Sequence, residues 1–206
     1  MISHILYDLD GVVVNSPKHR FSETLAKDYG ASYKDDMLPF FEGVFQDCLI
    51  GKADLKASLK PCLSRWRWPG GIDELLQYWF AQYSSLNEPL LEHVDTMRKR
   101  GMSCFLVTDN EAHRTAHAWN ELDLRLHFDG IFSSASVGHK KSSREFWMAV
   151  WRGLAMTHSR KNAVLCFDDD QNNVKAADEF GFSAKLYTDF ASYRAVMEQI
   201  AGAIPH

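Results

Sequence analysis

The sequence contains only four cysteines among its 206 residues, and no two of them form a Cys-x-x-Cys pair. A disulfide framework or a structural zinc site normally needs paired, closely spaced cysteines. We therefore expect the thiols to be reduced and mostly buried, which is typical of a cytoplasmic protein. They are Cys48, Cys62, Cys104 and Cys166.

Long apolar segments and a strong excess of one charge are also lacking. No apolar run approaches the ~20 residues that a membrane-spanning helix needs. The stretch from Met1 to Asp8 has no basic segment followed by a long apolar one, so it does not resemble a secretory signal. With 27 acidic residues against 23 Lys and Arg, the net charge is −4, whereas a face that binds nucleic acid is normally strongly basic. We expect neither a membrane nor a nucleic-acid partner, and the oligomeric state stays open.

Five short apolar runs predict β-strands. Each run is continuous, which is typical of strands buried on both faces of a parallel sheet. Segments with helical spacing separate the later runs, so the pattern predicts a doubly wound, Rossmann-like α/β core. The strands are Ile5 to Leu9, Ser103 to Thr108, Gly130 to Ser133, Ala163 to Phe167 and Ala184 to Tyr187, and the helices between them include Leu90 to Met97, Phe146 to Leu154 and Val174 to Phe180.

The interval between the first two strands is much longer than one crossover helix requires. It has little strand character, and the sequence predicts helices from Phe21 to Tyr29, Leu38 to Leu49 and Ile72 to Tyr83. We interpret residues 15–87 as a small α-helical domain inserted after the first strand, with residues 1–14 and 88–206 forming the α/β core.

Polar residues gather where the predicted strands end. Ligands of open α/β sheets bind beyond the carboxyl ends of the strands, so we expect these side chains to converge. Clustered carboxylates repel one another unless a cation lies among them, and oxygen ligands from separate loops suit Mg²⁺. One carboxylate could then attack phosphorus while a neighbour transfers protons. The strand-end residues are Asp8, Asp10, Thr108, Asp109, Asn110, Asp168, Asp169 and Asp170, with Lys140 and Lys141 after the third strand.

Four segments resemble, in order, the motifs of the haloacid dehalogenase-like (HAD) superfamily. Ile5 to Val14 is similar to the first motif, hhhDxDGxxx, and Leu106 to Asn110 is similar to the second, a strand ending in Ser or Thr. Gly138 to Trp147 resembles the third, usually GxxKPxxxhh, and Cys166 to Val174 resembles the fourth, hhDDxxxNh. The insertion after the first strand matches the helical cap of a subfamily that contains many small-molecule phosphatases.

The resemblance implies catalytic roles. Asp8 would be the nucleophile, and Asp10 would protonate the leaving oxygen and later activate water. Thr108 and Lys141 would hold the transferring phosphoryl group. Because the dehalogenase branch generally lacks the second aspartate, Asp10 favours phosphoryl transfer over dehalogenation.

The same resemblance implies the Mg²⁺ ligands. They would be the side chains of Asp8 and Asp169 and the backbone carbonyl of Asp10, with Asp168 as a second or water-mediated contact. We expect Asp170 to cap the following helix instead of binding the metal.

Some assignments stay open on the sequence alone. Ser142 stands where the motif usually has proline, and Lys140 precedes Lys141, so a shift of one residue is an alternative for the lysine. Asp109 and Asn110 are candidates for the phosphate end of the site, although Asn110 could instead cap the next helix. Within the insertion, the candidates for substrate contact or for its core are Phe45, Trp66 and Trp68.

The expected activity is hydrolysis of a small phosphate ester, a sugar phosphate being one candidate. A phosphomutase of the beta-phosphoglucomutase kind shares the same motifs and is an alternative. A non-catalytic relative that uses the fold for binding or regulation is a third, favoured only by Ser142.

Overall fold

The computed structural model describes residues 2–154 and 160–202. Its centre is a parallel five-stranded sheet in the order β3-β2-β1-β4-β5. The strands are β1 (His4–Asp8), β2 (Ser103–Thr108), β3 (Gly130–Ser133), β4 (Val164–Asp168) and β5 (Ser183–Leu186). The predicted doubly wound α/β core is confirmed, and each of its five strands lies within one residue of its expected position.

The helices follow in chain order, with four short turns of 3₁₀ or π type between them. They are α1 (Phe21–Tyr29), α2 (Leu38–Glu42), α3 (Val44–Leu49), α4 (Leu55–Leu59), α5 (Ile72–Ala81), α6 (Glu88–Lys99), α7 (Ala112–Asn120), α8 (Ser134–Val137), α9 (Arg144–Gly153), α10 (Gln171–Phe180) and α11 (Phe190–Gly202). The short turns are Tyr33–Met37, Lys60–Cys62, Leu124–Leu126 and Lys161–Ala163. Among the described residues, no helix combines the length and the apolar character that a membrane crossing requires.

The sheet is buried on both faces, which explains the continuous apolar runs. Ile5 and Tyr7 of β1 belong to the hydrophobic cluster on one face, where α6 and α11 pack. Leu6, between them, belongs to the cluster on the other face, where α9 and α10 pack. Successive side chains of a strand point to opposite faces, so a strand covered on both sides has no polar alternation.

The helices between β1 and β2 contain a hydrophobic cluster of their own. Trp66 is fully buried in it, and its indole nitrogen donates a 2.9 Å hydrogen bond to the carbonyl of Asp36. These features support the inserted domain, whose limits at residues 15 and 87 stay a prediction. The two chain connections lie side by side, since the amide of Asn15 donates to Ser85 and that of Asn87 donates to Val13.

The single helix expected from Leu38 to Leu49 is wrong. The structure divides it at Gly43 into α2 and α3. Gly43 has φ −98° and ψ −117°, and a Cβ atom there would lie 2.6 Å from the carbonyl oxygen of Pro39. Glycine permits this sharp break between two short helices, and apolar periodicity alone did not reveal it.

Candidate active site

The end of β1 and the loop after it bring Asp8 and Asp10 to the carboxyl end of the sheet. Asp8 is 6% exposed, and its Oδ1 accepts a 2.7 Å hydrogen bond from the amide of Leu9. Gly11 has φ +89°, and a Cβ atom on it would lie 2.0 Å from Oδ2 of Asp169. The glycine therefore allows the loop to lie directly against the loop after β4.

Lys141 connects the ends of the neighbouring strands β1 and β4. Its ammonium lies 2.7 Å from Oδ1 of Asp8 and 2.8 Å from Oδ2 of Asp168. The backbone of Lys141 is held on both sides, because its amide donates to Asp109 at 2.8 Å and its carbonyl accepts from the indole of Trp147 at 2.6 Å. The lysine is thus a fixed, buried cation between two buried carboxylates.

The neighbouring lysine lies elsewhere. The ammonium of Lys140 donates to the side-chain oxygen of Gln46, in α3 of the insertion. The structure therefore brings Lys141, and not Lys140, to Asp8. The serine at position 142 does not displace the lysine from this place.

The three consecutive aspartates at the end of β4 have different contacts. Asp168 is fully buried, and its Oδ1 accepts hydrogen bonds from the amide of Asp170 at 2.9 Å and from Asn173 at 3.2 Å. Asp170 caps α10 by accepting from the amide of Asn172, as expected. Asp169 is exposed and lies beside Asp8 and Asp168.

These carboxylates fit a hard divalent cation. Asp8, Asp168 and Asp169 each offer an oxygen, and the three oxygens lie within 4.8 Å of one another. Among the residues that the structure describes, Lys141 contributes the single positive charge within bonding distance of Asp8 and Asp168. An oxygen-only donor set with net negative charge is the type that Mg²⁺ prefers.

Burial and mutual repulsion shift the ionisation of this cluster. Burial raises the pKa of Asp8 well above its ordinary value, Lys141 counteracts the shift, and Asp168 adds to it. Burial followed by the charge of Asp168 likewise raises the pKa of Asp169. Burial alone would lower the pKa of Lys141, but the carboxylates of Asp8 and Asp168 outweigh it and raise that pKa. The lysine is therefore charged, and the carboxylates favour an additional cation.

The carboxylate of Asp10 is held from two sides. Asn110 donates to its Oδ2 at 2.6 Å and to the hydroxyl of Thr108 at 2.7 Å. Arg114 donates from Nη2 to its Oδ1 at 2.9 Å and to the carbonyl of Tyr83 at 2.7 Å. Asn110 therefore contacts the site and does not cap α7.

Arg114 was missed by sequence reasoning. It lies in the first turn of α7, whose N-cap is Glu111, and it is only 5% exposed. A buried cation near the positive end of a helix is unfavourable without a partner. The arginine just after the second motif could therefore have been recognised as a residue that contacts the acidic site. Its Nη1 is buried and lacks a hydrogen-bond partner among the described residues.

The predicted phosphate-binding residues are separated into two groups. Thr108 is 1% exposed and lies beside Asp10 through Asn110. Asp109 instead accepts from the backbone of Lys141, so its carboxylate positions that lysine. Burial raises the pKa of Asp109, and Lys141 counteracts this shift.

A cleft of about 220 Å³ opens beside Asp10, between the core and the insertion. We call it the aromatic cleft. The insertion contributes Phe45, Leu49, Trp79, Phe80 and Tyr83, and the core contributes Asp10, Asp109, Asn110, Glu111 and Arg114. Of the aromatic candidates named from the sequence, Phe45 lines this cleft, whereas Trp66 is part of the insertion's core. A larger cavity of about 540 Å³ lies beside Ser3 and Met102, and neither Asp8 nor Asp10 lines it.

Solved structures resemble the whole fold. A HAD family enzyme from Bacteroides thetaiotaomicron matches with a TM-score of 0.80 and 16% identity, covering 95% of this chain and 98% of that one. A predicted HAD-like family hydrolase from Porphyromonas gingivalis matches with a TM-score of 0.78 and 19% identity, covering 98% of both chains.

Curated relatives match over part of their length. Bifunctional epoxide hydrolase 2 of Rattus norvegicus is 29% identical over 122 residues, which are 57% of this chain and 22% of that protein. The Mus musculus protein is 27% identical over the same share of each chain. The matched segment is thus less than a quarter of the length of these relatives.

The family model for haloacid dehalogenase-like hydrolases matches residues 5–185, a range that contains all four motifs and every strand except the first residue of β1 and the last residue of β5. The chain belongs to the haloacid dehalogenase-like hydrolases.

Proposed function

We propose that this protein is a Mg²⁺-dependent phosphohydrolase that acts on a small phosphate ester through a phosphoryl-aspartate on Asp8. The observation that carries the proposal is the contact of Lys141 with both Asp8 and Asp168, next to an Asp10 that borders a cleft. Another structure of the Bacteroides thetaiotaomicron enzyme, 17% identical to this chain, is a complex with magnesium and inorganic phosphate. That complex supports a phosphate ligand in this fold.

In the first half-reaction, a carboxylate oxygen of Asp8 attacks phosphorus and the bond from phosphorus to the ester oxygen breaks. Lys141 and the amide of Leu9 hold the carboxylate of Asp8 in place through its Oδ1. Asp10 gives its proton to the departing oxygen, and the alcohol leaves. Lys141 and Thr108 stabilise the charge on the phosphoryl oxygens.

In the second half-reaction, water attacks the phosphorus of the phosphoryl-aspartate. Asp10, now ionised, accepts a proton from that water, inorganic phosphate departs and the Asp8 carboxylate returns. Asn110 and Arg114 keep Asp10 at the cleft through both steps. The same group thus acts first as an acid and then as a base.

The metal would be held by Asp8, Asp168 and Asp169, with the backbone carbonyl of Asp10. When bound, Mg²⁺ supplies positive charge that neutralises the clustered carboxylates and the phosphoryl oxygens. The insertion would act as a cap that excludes bulk water, and a cytoplasmic location stays a prediction.

Phosphate release from a panel of phosphomonoesters, sugar phosphates included, tests this proposal. We expect release that requires Mg²⁺ and disappears in Asp8→Asn. Asp123→Asn is a matched control, because Asp123 is exposed and has φ +54°, a conformation that asparagine adopts readily. Activity that survives chelation or the Asp8 substitution would refute the mechanism.

A phosphomutase would use the same residues, and an isomerised product without free phosphate would select it. The non-catalytic alternative loses its sequence argument, because Lys141 reaches Asp8 although Ser142 follows it. Tight ligand binding without any turnover would restore that alternative.

A further inference from the structure

The two walls of the aromatic cleft differ in chemistry. The core wall carries the polar groups of Asp10, Asn110 and Arg114, and the insertion contributes Phe45, Leu49, Trp79, Phe80 and Tyr83. A phosphate that is bound at Asp8 and Lys141 would direct its ester group past Asp10 toward the insertion. The insertion wall would then contact the alcohol part of the substrate.

This wall offers few hydrogen bonds to a ligand. The carbonyl of Tyr83 accepts from Arg114. Trp79 stacks on Phe21 with ring centroids 4.5 Å apart, and it also packs against Phe45. Apart from the indole N–H of Trp79 and the hydroxyl of Tyr83, the side chains that line the insertion's side of the cleft are hydrocarbon.

Much of the core wall is occupied by its own contacts, although Nη1 of Arg114 lacks a partner among the described residues. Both oxygens of Asp10 accept hydrogen bonds, one from Asn110 and one from Arg114. Both oxygens of Glu111 accept from the first amides of α7. A sugar that entered this cleft would lose water from several hydroxyls and gain few partners, which is unfavourable.

We propose that the substrate is a phosphate monoester of a compact apolar alcohol, with a leaving group of about one aromatic ring or a short alkyl chain. The inference rests on the proposed function and narrows it. The size follows from the cleft, whose volume of about 220 Å³ is below the roughly 300–1,000 Å³ of pockets for drug-sized ligands. Hydrolysis consumes the ester and one water, and it releases inorganic phosphate and the neutral alcohol.

Three primary alkyl esters test the preference without a large difference in intrinsic reactivity. They are 2-phenylethyl phosphate, glycerol 1-phosphate and glucose 6-phosphate. We expect kcat/KM to be about tenfold or more higher for 2-phenylethyl phosphate than for either polar ester. A higher value for glucose 6-phosphate or glycerol 1-phosphate would overturn the inference.

A variant in the cleft tests which surface is responsible. Leu49→Gln puts a polar group into the apolar wall, and Val44→Gln is its control on the exposed side of the same helix. We expect Leu49→Gln to lower kcat/KM for 2-phenylethyl phosphate about tenfold and to leave that for glycerol 1-phosphate within about twofold. Val44→Gln should change neither value.

A second variant is needed in case circular dichroism shows that Leu49→Gln does not fold. Phe45→Gln should then give the same selective loss of kcat/KM for 2-phenylethyl phosphate. An equal loss for both esters in a folded variant would overturn the inference, since the wall would then not distinguish leaving groups.

The two proposals fail in different ways. If turnover depends on Asp8 but favours the sugar ester, the proposed phosphohydrolase mechanism is retained and only the proposed apolar leaving group is refuted. Turnover of none of the three esters, or turnover that persists in Asp8→Asn, would overturn the proposed mechanism and the substrate class that rests on it.

Discussion

Lys141 is the residue on which the charge balance of the site depends. It is 2% exposed and contacts two carboxylates that are themselves buried. Removing one partner of a buried ion pair leaves an uncompensated charge, which typically destabilises a protein by about 3–5 kcal/mol. Loss of the Lys141 charge should therefore affect both stability and catalysis.

We expect Lys141→Met to lower kcat at least about 100-fold and to lower the free energy of unfolding. Urea unfolding and phosphate release measure the two effects. Lys140→Met is the control, because Lys140 contacts Gln46 of the insertion and not Asp8. Equal losses in both variants would contradict the assignment of Lys141.

The ionisation of Asp8 and Asp169 predicts how magnesium and pH act together. Burial raises both pKa values above the ordinary 3.8. The folded protein then binds more protons than the unfolded chain, so the contribution of these groups to stability falls as the pH rises from their ordinary values through their raised values. A cation relieves this loss because it favours the ionised forms.

We therefore expect Mg²⁺ to increase the melting temperature more at about pH 7.5 than at about pH 5. Thermal unfolding with Mg²⁺ and with chelator at both pH values gives the comparison. An increase from Mg²⁺ that is the same at both pH values would show that these carboxylates do not hold the ion.

The contact between Arg114 and Asp10 leads to a prediction about proton transfer. If Arg114 orients Asp10, Arg114→Ala should lower activity more on substrates whose leaving oxygen needs a proton than on substrates with a stable leaving group. We expect a loss of about tenfold or more with an alkyl phosphate and a smaller loss with p-nitrophenyl phosphate. Added guanidinium should restore part of the alkyl activity, whereas an equal, unrescued loss on both substrates would indicate a purely structural role.

At the scale of elements, the strands were predictable and the short helices of the insertion were not. A strand buried on both faces leaves a continuous apolar run, as at Ile5 to Leu9, and the sequence shows it directly. The break at Gly43 depends on the approach of its backbone to Pro39, and periodicity carries no record of that contact.

The loop after β1 gives a prediction at this scale. Gly11→Ala should lower activity and Mg²⁺ affinity, since its Cβ would lie 2.0 Å from Oδ2 of Asp169 and its φ is +89°. Gly101→Ala is a matched control, with φ +85° and nothing within 4 Å of the added atom. Phosphate release against Mg²⁺ concentration measures both, and equal apparent affinities in the two variants would contradict the close packing of the loops.

At the scale of the whole molecule, some contacts of the candidate site follow from the order of the strands, and others depend on how distant elements pack. Asp8 and Thr108 end strands, and Lys141 and Asp169 follow strands, so the order of the motifs predicted that they would converge. The contact between Arg114 and Asp10 spans 104 positions and the contact between Lys140 and Gln46 spans 94. Such contacts depend on how the insertion and α7 lie over the sheet, which no local pattern encodes.

The composition of the aromatic cleft likewise appears only in three dimensions. Phe45, Leu49 and Trp79 come from two helices of the insertion, and Arg114 comes from the core. From the sequence, Phe45 could equally have belonged to the core of the insertion, as Trp66 does. Only the fold shows which aromatic side chains border the acidic residues.

The central claim is a covalent phosphoryl group on Asp8, and trapping that group tests it most directly. In Asp10→Asn, breakdown of the intermediate should slow because the base is absent, so rapid quenching with an aryl phosphate and Mg²⁺ should allow it to accumulate. Mass spectrometry of the quenched peptide that contains residues 2–18 should then show one phosphoryl group on Asp8, absent without Mg²⁺ and absent when Asp8 is also Asn. Undiminished phosphate release with Asp8 unmodified would contradict the account.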